Sequence, residues 1–134
     1  MSQPTRKIPA PARTPETEAY WKSASEGILL VRKCRSCGEA HHYPRTNCPF
    51  CFSDLTEWQK ASGKGVIYTY TVMRRVPVPY AIAYVTLEEG PSMMTNIIDC
   101  DLDAVAIGSR VRLIFKPSDG DTPVPMFTLD SSAG

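Results

Sequence analysis

The chain has 134 residues, of which 43% are hydrophobic and 22% are charged, as expected for a globular protein with a buried core. Its 15 basic and 14 acidic residues give a net charge of +1, which provides no bulk attraction to nucleic acid or to an anionic membrane. No apolar run is long enough to span a membrane, and the N-terminus has no signal-peptide core. Because four of the five cysteines have metal-ligand spacing, we expect a cytoplasmic protein without disulfide bonds.

The N-terminal segment predicts an arm followed by one short helix. Prolines among polar residues in 1–14 are typical of a flexible or extended arm rather than a packed element, although such an arm could still dock on a partner. Thr14-Pro15-Glu16 then provides a hydroxyl cap, a proline in the first turn and an acid near the positive end of the helix dipole. Gly27 is the expected stop. Tyr20 and Trp21 lie on or beside the apolar face, so the helix must pack on the ribbon or on a partner.

Two Cys-x-x-Cys pairs, ten residues apart, follow the helix. The spacing is typical of a zinc ribbon, in which each pair forms a knuckle whose backbone amides point at the sulfurs. The predicted ligands are Cys34, Cys37, Cys48 and Cys51. Four thiolates leave no open position for water or substrate, so the Zn²⁺ would be structural. Two disulfides, unrelated free thiols and rubredoxin-like iron are the alternatives, although no thioredoxin-like pattern surrounds either pair.

Three further residues of metal-binding type lie outside this set. His41 and His42 fall within the hairpin between the cysteine pairs. Since four cysteines already fill the site, we expect at least one histidine to be solvated or to form a local hydrogen bond. Cys100 lies between Asp99 and Asp101, whose negative charges would raise its pKa. A free thiol is therefore expected there rather than a nucleophile.

After the second cysteine pair the hydrophobic period changes to two, and five strands are predicted. They are 66–72, 80–87, 93–98, 110–115 and 124–128. A loop over 73–79 joins the first two strands, and a helical turn or long loop over 101–108 joins the third and fourth. Five short antiparallel strands with this longer connection suit a small Greek-key barrel of the OB type. An SH3-like barrel or an open meander is the alternative.

Alternation within the strands predicts which side chains share a face. In the first barrel strand one face would carry Val66, Tyr68, Tyr70 and Val72. In the fourth strand the apolar residues Val111, Leu113 and Phe115 would face inwards, and the basic residues Arg110, Arg112 and Lys116 outwards.

The predicted fold is mainly β. An N-terminal arm and helix occupy 1–27, a rubredoxin-like four-cysteine zinc ribbon 28–60, a five-stranded OB-fold barrel 61–129 and a polar tail 130–134.

The order of these parts resembles the zinc-ribbon OB-fold family found beside acyl-CoA enzymes. The resemblance extends from about Thr14 to Phe127 and depends on the order of several motifs. These are Tyr20-Trp21 in the helix, the two cysteine pairs with Pro44-Arg45 before the third cysteine, Gly63-x-Gly65-x-x-Tyr68-x-Tyr70-Thr71 at the start of the barrel, Pro79-Tyr80, Glu88-Glu89-Gly90 and Ile107-Gly108.

Members of this family look like accessory subunits of thiolase-like enzymes, including thiolase–hydroxymethylglutaryl-CoA synthase assemblies and the aldolases that shorten steroid side chains. The resemblance implies a subunit without catalytic residues that docks on such an enzyme and helps to hold a coenzyme A thioester. The sequence agrees, since it has no Ser-His-Asp, Cys-His or paired-carboxylate constellation. Candidate contacts to the phosphates and apolar arm of acyl-CoA are Lys64, Arg74, Arg75 and Tyr80. Alternatively, the arginines are solvated and the tyrosine is in the core.

Two other functions compete. OB folds and zinc ribbons also bind single-stranded nucleic acid, and the row Arg110, Arg112 and Lys116 could line a groove for it. A site that follows several phosphates normally leaves a basic excess, however, which this chain lacks. An electron carrier with iron at the cysteines would leave the barrel unexplained.

Overall fold

The computed structural model describes residues 8–130, which contain one α-helix, a three-stranded sheet and a closed five-stranded barrel. The helix is α1 (Glu18–Ser25). The small sheet contains β1 (Leu30–Cys34), β2 (Ala40–His41) and β3 (Thr56–Lys60). The barrel contains β4 (Lys64–Met73), β5 (Tyr80–Leu87), β6 (Ser92–Ile97), β7 (Arg110–Lys116) and β8 (Val124–Leu129). A 3₁₀ turn, Leu102–Ala104, lies between β6 and β7, where a helical turn or long loop was predicted.

Helix α1 begins later than the sequence predicts. Its N-cap is Thr17, whereas Thr14 was expected to cap it. The carbonyl of Thr14 instead accepts the N–H of Thr17 at 3.0 Å, and the two hydroxyls are 3.0 Å apart. A separate turn therefore precedes the helix. The predicted stop is confirmed, because Gly27 has a φ of 78° and donates its N–H to the carbonyl of Ala24 at 3.0 Å.

The described part of the N-terminal arm packs against the barrel. The N–H of Asp119 donates to the carbonyl of Ile8 at 2.8 Å, and the guanidinium of Arg13 donates to Oγ1 of Thr122 at 3.1 Å. The expectation of an unpacked arm is therefore wrong for residues 8–14, since main-chain groups of the turn before β8 find their partners there. Residues 1–7 of the predicted arm lie outside the described residues.

The two sheets are separate in their strand pairing. In the ribbon the order is β2-β1-β3 and both pairs are antiparallel. In the barrel the order is β4-β5-β6-β8-β7, with β7 returning to β4. This ring confirms the predicted five-stranded OB-fold barrel. The expectation that all its strands are antiparallel is wrong at β6 and β8, which pair in parallel. An odd number of strands cannot alternate in direction around a closed ring, so one parallel pair is unavoidable.

Strand β4 contains a bulge at Tyr68. Ile67 pairs with Val85, and the next pair is Thr69 with Tyr84, so Tyr68 is the extra residue. Its side chain is 69% exposed. Period-two alternation is broken at this point, and the sequence gives no signal of it.

The bulge divides the face predicted for β4. Val66 lies before the bulge and is exposed on the outer wall. Tyr70 and Val72 lie after it and pair with Ala83 and Ala81, which are buried. The prediction of one common face is therefore wrong, because the inserted residue reverses the inward and outward positions of the second half of the strand.

One apolar core joins the ribbon to the barrel. Buried members on the ribbon side are Tyr20, Trp21, Ala24, Leu29, Leu30 and Val31, and those on the barrel side include Ile67, Val85, Ile97, Val111 and Phe127. In β7, Leu113 and Phe115 also pack against this core, whereas Arg110 and Arg112 are exposed, as predicted. Within residues 8–130, no helix is long and apolar enough to cross a membrane.

Candidate functional site

The four cysteines converge at one end of the ribbon, in two knuckles of similar build. In the first, the N–H groups of Ser36 and Cys37 donate to Sγ of Cys34 at 3.3 and 3.4 Å. In the second, the N–H of Phe50 donates to Sγ of Cys48 at 3.4 Å. Backbone amides thus point at the sulfurs, as the spacing predicts, and the two that donate to Cys34 favour its thiolate form.

The sulfur positions fit one tetrahedral metal ion. All four Sγ atoms lie within 4.8 Å of one another, with 3.6 Å between Cys34 and Cys51 and 3.7 Å between Cys37 and Cys48. A tetrahedron with Zn–S bonds of about 2.3 Å has sulfur–sulfur edges of about 3.8 Å. A disulfide would need about 2.05 Å, and all four thiols are free. The predicted ligand set is therefore brought together, and two disulfides are excluded.

Without a metal ion, the pKa values of the cysteine thiols differ. The N–H of Cys37 lowers the pKa of Cys34 to about 6. For Cys37, the N–H of Glu39 lowers the pKa, but burial and the thiol of Cys48 raise it overall, to about 12. Four neighbouring thiolates repel one another unless a cation lies between them, so Zn²⁺ would complete this donor set and hold both knuckles together.

Both histidines form local hydrogen bonds, as expected for at least one of them. Nε2 of His41 accepts the N–H of Arg45 at 3.1 Å, and Nε2 of His42 lies 2.8 Å from the hydroxyl of Tyr20. Burial lowers the pKa of His41 and lowers that of His42 to about 4. The two imidazoles are therefore neutral near pH 7 and act as packing groups of the ribbon.

Helix α1 packs on the ribbon, which settles the alternative of a partner for its aromatic residues. The rings of Tyr20 and Trp21 meet edge to face at 4.8 Å between centroids. Nε1 of Trp21 donates to the hydroxyl of Tyr43 at 2.9 Å. Before the helix, the carboxylate of Glu16 accepts the N–H of Thr46 at 2.6 Å, which lowers its pKa. The role of Tyr43 was missed, because contacts between segments far apart in sequence leave no local signal.

Three candidate acyl-CoA residues lie at the loop between β4 and β5. Arg74 forms an ion pair with Asp103 at 2.7 Å, and both side chains are exposed. Arg75 is exposed and forms no ion pair with any residue in 8–130. Tyr80 is half-buried at the start of β5. The structure therefore gives the cation of Arg75 greater freedom to meet a ligand than that of Arg74.

The fourth candidate, Lys64, lies at the other end of β4. Nine residues of strand separate it from the first arginine, roughly 30 Å along the chain. Lys64 borders a cleft of about 490 Å³ between β4, β5 and β7, together with the charged residues Glu88, Arg110 and Asp130. Among the four candidates, the structure brings the three loop residues together and places Lys64 apart from them.

The outer wall of the barrel carries exposed apolar side chains, two of which, on β5 and β6, the sequence did not single out. Tyr84 of β5 pairs with Met94 of β6, and these side chains are 46% and 62% exposed. Val66 and Tyr68 of β4 are exposed as well. Only the register of the strands pairs Tyr84 with Met94, so the sequence could not reveal this pair.

Two other predictions concern charge and reactivity. Burial, followed by the charges of Asp101 and Asp99, raises the pKa of Cys100, as expected for a free thiol. The basic row on β7 is partly neutralised, because Lys116 forms an ion pair with Asp99 at 2.8 Å. This pairing weakens the case for a groove that follows nucleic-acid phosphates.

The fold and the cysteine site define a zinc-ribbon OB-fold protein, and comparisons with known proteins agree. A family model described as the rubredoxin-like zinc ribbon domain of ChsH2 matches residues 21–57, and one described as the C-terminal OB-fold domain of ChsH2 matches residues 58–116. A DUF35 domain-containing scaffold protein of Methanocaldococcus jannaschii is 36% identical over 115 residues, covering 78% of this chain and 81% of that protein. The chain belongs to this DUF35 family, with a ChsH2-type zinc ribbon and OB-fold domain.

Two further relatives have names that refer to enzymes. A probable enoyl-CoA hydratase alpha subunit of Thermomonospora curvata is 29% identical over an alignment of 130 residues, which covers 93% of this chain and 41% of that protein. A chain in a solved structure described as an Ltp2-ChsH2(DUF35) aldolase is 29% identical, with a TM-score of 0.79, and the match covers 90% of this chain and 98% of that one. The chain thus spans less than half of the hydratase subunit.

Proposed function

We propose that this chain is a non-catalytic accessory subunit that docks on a thiolase-like enzyme and helps it to hold a coenzyme A thioester, with a structural Zn²⁺ in its ribbon. The observation that carries the proposal is the closed four-thiolate site beside a barrel without a nucleophile–base pair among residues 8–130. Both histidines of the chain are engaged inside the ribbon. A general base of the commonest kind is therefore not offered to a substrate.

The names of the relatives support the same role. One is called a scaffold protein, one a probable enoyl-CoA hydratase alpha subunit, and one is a chain of a solved structure described as an Ltp2-ChsH2(DUF35) aldolase. A zinc-held ribbon and a closed barrel give the rigid surfaces that a scaffold needs, because a preordered surface loses little entropy when it docks.

The loop between β4 and β5 is the proposed contact to coenzyme A. Arg75 carries the cation that is free for a phosphate, and Arg74 becomes free if its pair with Asp103 opens. Pro77 and Pro79 restrict the backbone, so the loop is stiff. Tyr80 offers an aromatic surface beside it. Lys64 is too far away to share this contact, so its role would be a separate one at the cleft.

Co-purification tests the partner. The chain is expressed together with a thiolase-like subunit, and the complex is isolated by size exclusion. We expect a stable complex, with acyl-CoA turnover in the complex and none from the accessory chain alone. Turnover by the isolated chain that a single substitution abolishes would contradict the proposal, as would failure to associate with any thiolase-like subunit.

Calorimetric titration of the complex with an acyl-CoA tests the loop. Replacing Arg75 by Ala should weaken binding by roughly 1–3 kcal/mol, the range for charge-assisted hydrogen bonds. Arg74→Ala should have a smaller effect, since that side chain is already paired. Arg112→Ala removes an exposed arginine from β7 and is the matched control, expected to stay within about 0.5 kcal/mol. Equal affinity for all variants would remove the loop from the ligand site and leave the partner proposal standing.

A further inference from the structure

The two zinc knuckles have the same backbone turn but different residues at its last position. In the first knuckle, Gly38 donates its N–H to the carbonyl of Cys34 at 3.0 Å and has a φ of 80°. In the second, Phe52 donates its N–H to the carbonyl of Cys48 at 2.8 Å and has a φ of 65°. Phe52 therefore occupies the place that glycine takes in the first knuckle.

Phenylalanine is a poor choice for this place on folding grounds alone. A positive φ is unfavourable for any residue with a Cβ, and especially for a bulky one, whereas Gly, Asn and Asp tolerate it. The ring of Phe52 gains no compensating burial, because the residue is 79% exposed. Backbone strain of this kind clusters at functional sites. Neither folding nor metal binding accounts for the ring.

Two more exposed apolar side chains lie within three residues of it in the sequence. Phe50 is 60% exposed and Leu55 is 56% exposed. The second knuckle holds Phe50 through its N–H bond to a ligand sulfur, and the carbonyl of Leu55 accepts the N–H of Arg35 from the first knuckle at 2.7 Å. We call Phe50, Phe52 and Leu55 the knuckle-tip patch. The metal site would hold all three in place before any partner arrives.

We propose that the knuckle-tip patch is an anchor for docking, which inserts into an apolar pocket on the catalytic subunit. The proposal rests on the proposed function and names the surface of this chain that the enzyme binds. Three side chains are too few to form a stable interface alone, since each partner in such an interface buries about 800 Å². They fit the role of a few buried aromatic anchors within a larger contact.

The charges around the patch favour a protein partner over a membrane. Segment 46–57 contains two acidic residues, Asp54 and Glu57, and no lysine or arginine. Of the basic residues that flank the two knuckles, Arg45 is paired with Glu16 at 3.5 Å, so Arg35 is set against both Asp54 and Glu57 in the count of charges. Docking of exposed apolar groups on anionic lipid needs a surplus of basic side chains, which this end of the ribbon does not have.

A second copy of the chain is also a poor fit. A twofold contact through the tip would bring Asp54 near its own counterpart and oppose two sets of protruding rings. The cleft near Lys64 is bordered by four charged side chains, which the rings of another copy would have to desolvate in order to enter it. The occupant inferred here is therefore a different protein with a concave apolar pocket.

Phe52→Gly separates docking from folding. Because glycine suits the backbone of this turn, the variant should keep its zinc and a melting temperature equal to or above that of wild type. Affinity for the purified catalytic subunit from the co-purification experiment should fall at least tenfold. Phe52→Ala should lose the same affinity, and its melting temperature should be lower than that of Phe52→Gly because alanine keeps the Cβ. Phe52→Tyr should keep most of the affinity. Met94→Ser removes a 62% exposed side chain from the barrel wall and is the control, expected to bind within about twofold of wild type.

Two results would overturn the inference. If a complex with a thiolase-like subunit forms and Phe52→Gly binds it as tightly as wild type does, the patch is not an anchor, and the proposed function is unaffected. If Phe52→Gly loses its zinc, the ring has a structural role and the inference also fails.

Photo-crosslinking covers the case in which no thiolase-like subunit binds. The chain with Phe52→benzoylphenylalanine is irradiated in cells, and the crosslinked product is identified and purified. Crosslinking to another protein that binds wild type and loses at least tenfold affinity for Phe52→Gly would support the anchor while the proposed function fails. Crosslinking only to a second copy, flotation with vesicles of phosphatidylcholine and phosphatidylglycerol, or no crosslink would overturn the anchor.

Discussion

At the residue scale, the cysteines were predictable and most of their surroundings were not. Spacing alone identifies Cys34 and its three companions, because a knuckle is a local turn whose amides must face the sulfurs. The bond between Tyr20 and His42 joins residues 22 positions apart, and so does the bond between Trp21 and Tyr43. No short-range pattern encodes such pairs. They depend on how the helix settles on the ribbon, which only the folded chain shows.

The first prediction at this scale concerns a ligand. Cys48→Ser should reduce zinc to well below one ion per chain and unfold the ribbon, because zinc binding and folding share one free energy, typically 10–16 kcal/mol in small zinc peptides. Elemental analysis and tryptophan fluorescence measure the two effects. Cys100→Ser, outside the site and half-buried, should keep both the zinc and the fluorescence. Iron in place of zinc, or a metal-free chain with an intact ribbon, would contradict the assignment.

The second concerns acid stability. Burial depresses the pKa of His42 from 6.5 to about 4, so between these values the unfolded chain binds a proton that the folded chain does not. The free energy of unfolding should therefore fall as the pH drops from about 6.5 to 4, by roughly 3 kcal/mol for this group. Urea titrations across this range measure the slope.

His42→Gln is the matched variant for that slope. Glutamine can still meet the hydroxyl of Tyr20 but does not titrate, whereas acid release of zinc from the cysteines affects both proteins equally. If the free energy of unfolding depends on pH in the same way for wild type and variant, the imidazole has no part in acid unfolding.

At the element scale, the positions of the strands could be predicted from composition. The side of the sheet on which each side chain lies could be predicted for some strands only. Alternation predicted β7 correctly, since its apolar residues face the core and Arg110 and Arg112 face water. The same reasoning was wrong for β4, because after the bulge at Tyr68 the strand register shifts and Tyr70 pairs with the buried Ala83, although its own side chain is 36% exposed. An inserted residue changes no composition and no period on either side of it. The sequence therefore predicts the strands and the barrel, while the outer wall has to be observed.

A prediction at this scale tests how closely β4 and β5 approach. A Cβ added at Gly65 would lie 2.6 Å from Cγ1 of Val85 and 2.7 Å from the carbonyl oxygen of Thr86. Gly65→Ala should therefore destabilise the barrel by about 1–3 kcal/mol, as overpacking does elsewhere. Lys64→Ala, at the neighbouring exposed position, should change the free energy of unfolding by no more than about 0.5 kcal/mol. Equal denaturation midpoints for the two variants would mean that β4 and β5 can move apart at Gly65 with no loss in the free energy of unfolding.

At the scale of the whole molecule, the ribbon and the barrel are joined by packing but not by strand pairing. Each sheet completes its hydrogen bonds within itself. The apolar core nevertheless runs through both, from Tyr20 in the helix to Phe127 in β8. The metal site thus lies in the ribbon alone, whereas unfolding of the ribbon would also destabilise the barrel, because the two share one apolar core. The effect of removing zinc should therefore differ between the two parts.

The final prediction is that chelation unfolds the ribbon before the barrel. Both tryptophans of the chain lie on the ribbon side, Trp21 in α1 and Trp58 in β3, so their fluorescence reports that half alone. With a strong chelator we expect the tryptophan emission to shift to the red while the far-ultraviolet circular dichroism of the barrel persists. The barrel should then melt at a lower temperature than in the zinc-bound protein, because loss of the ribbon exposes the shared core. Adding Zn²⁺ back should restore both signals. If fluorescence and circular dichroism change together at every chelator concentration, the two parts form one cooperative unit, and zinc stabilises the barrel directly.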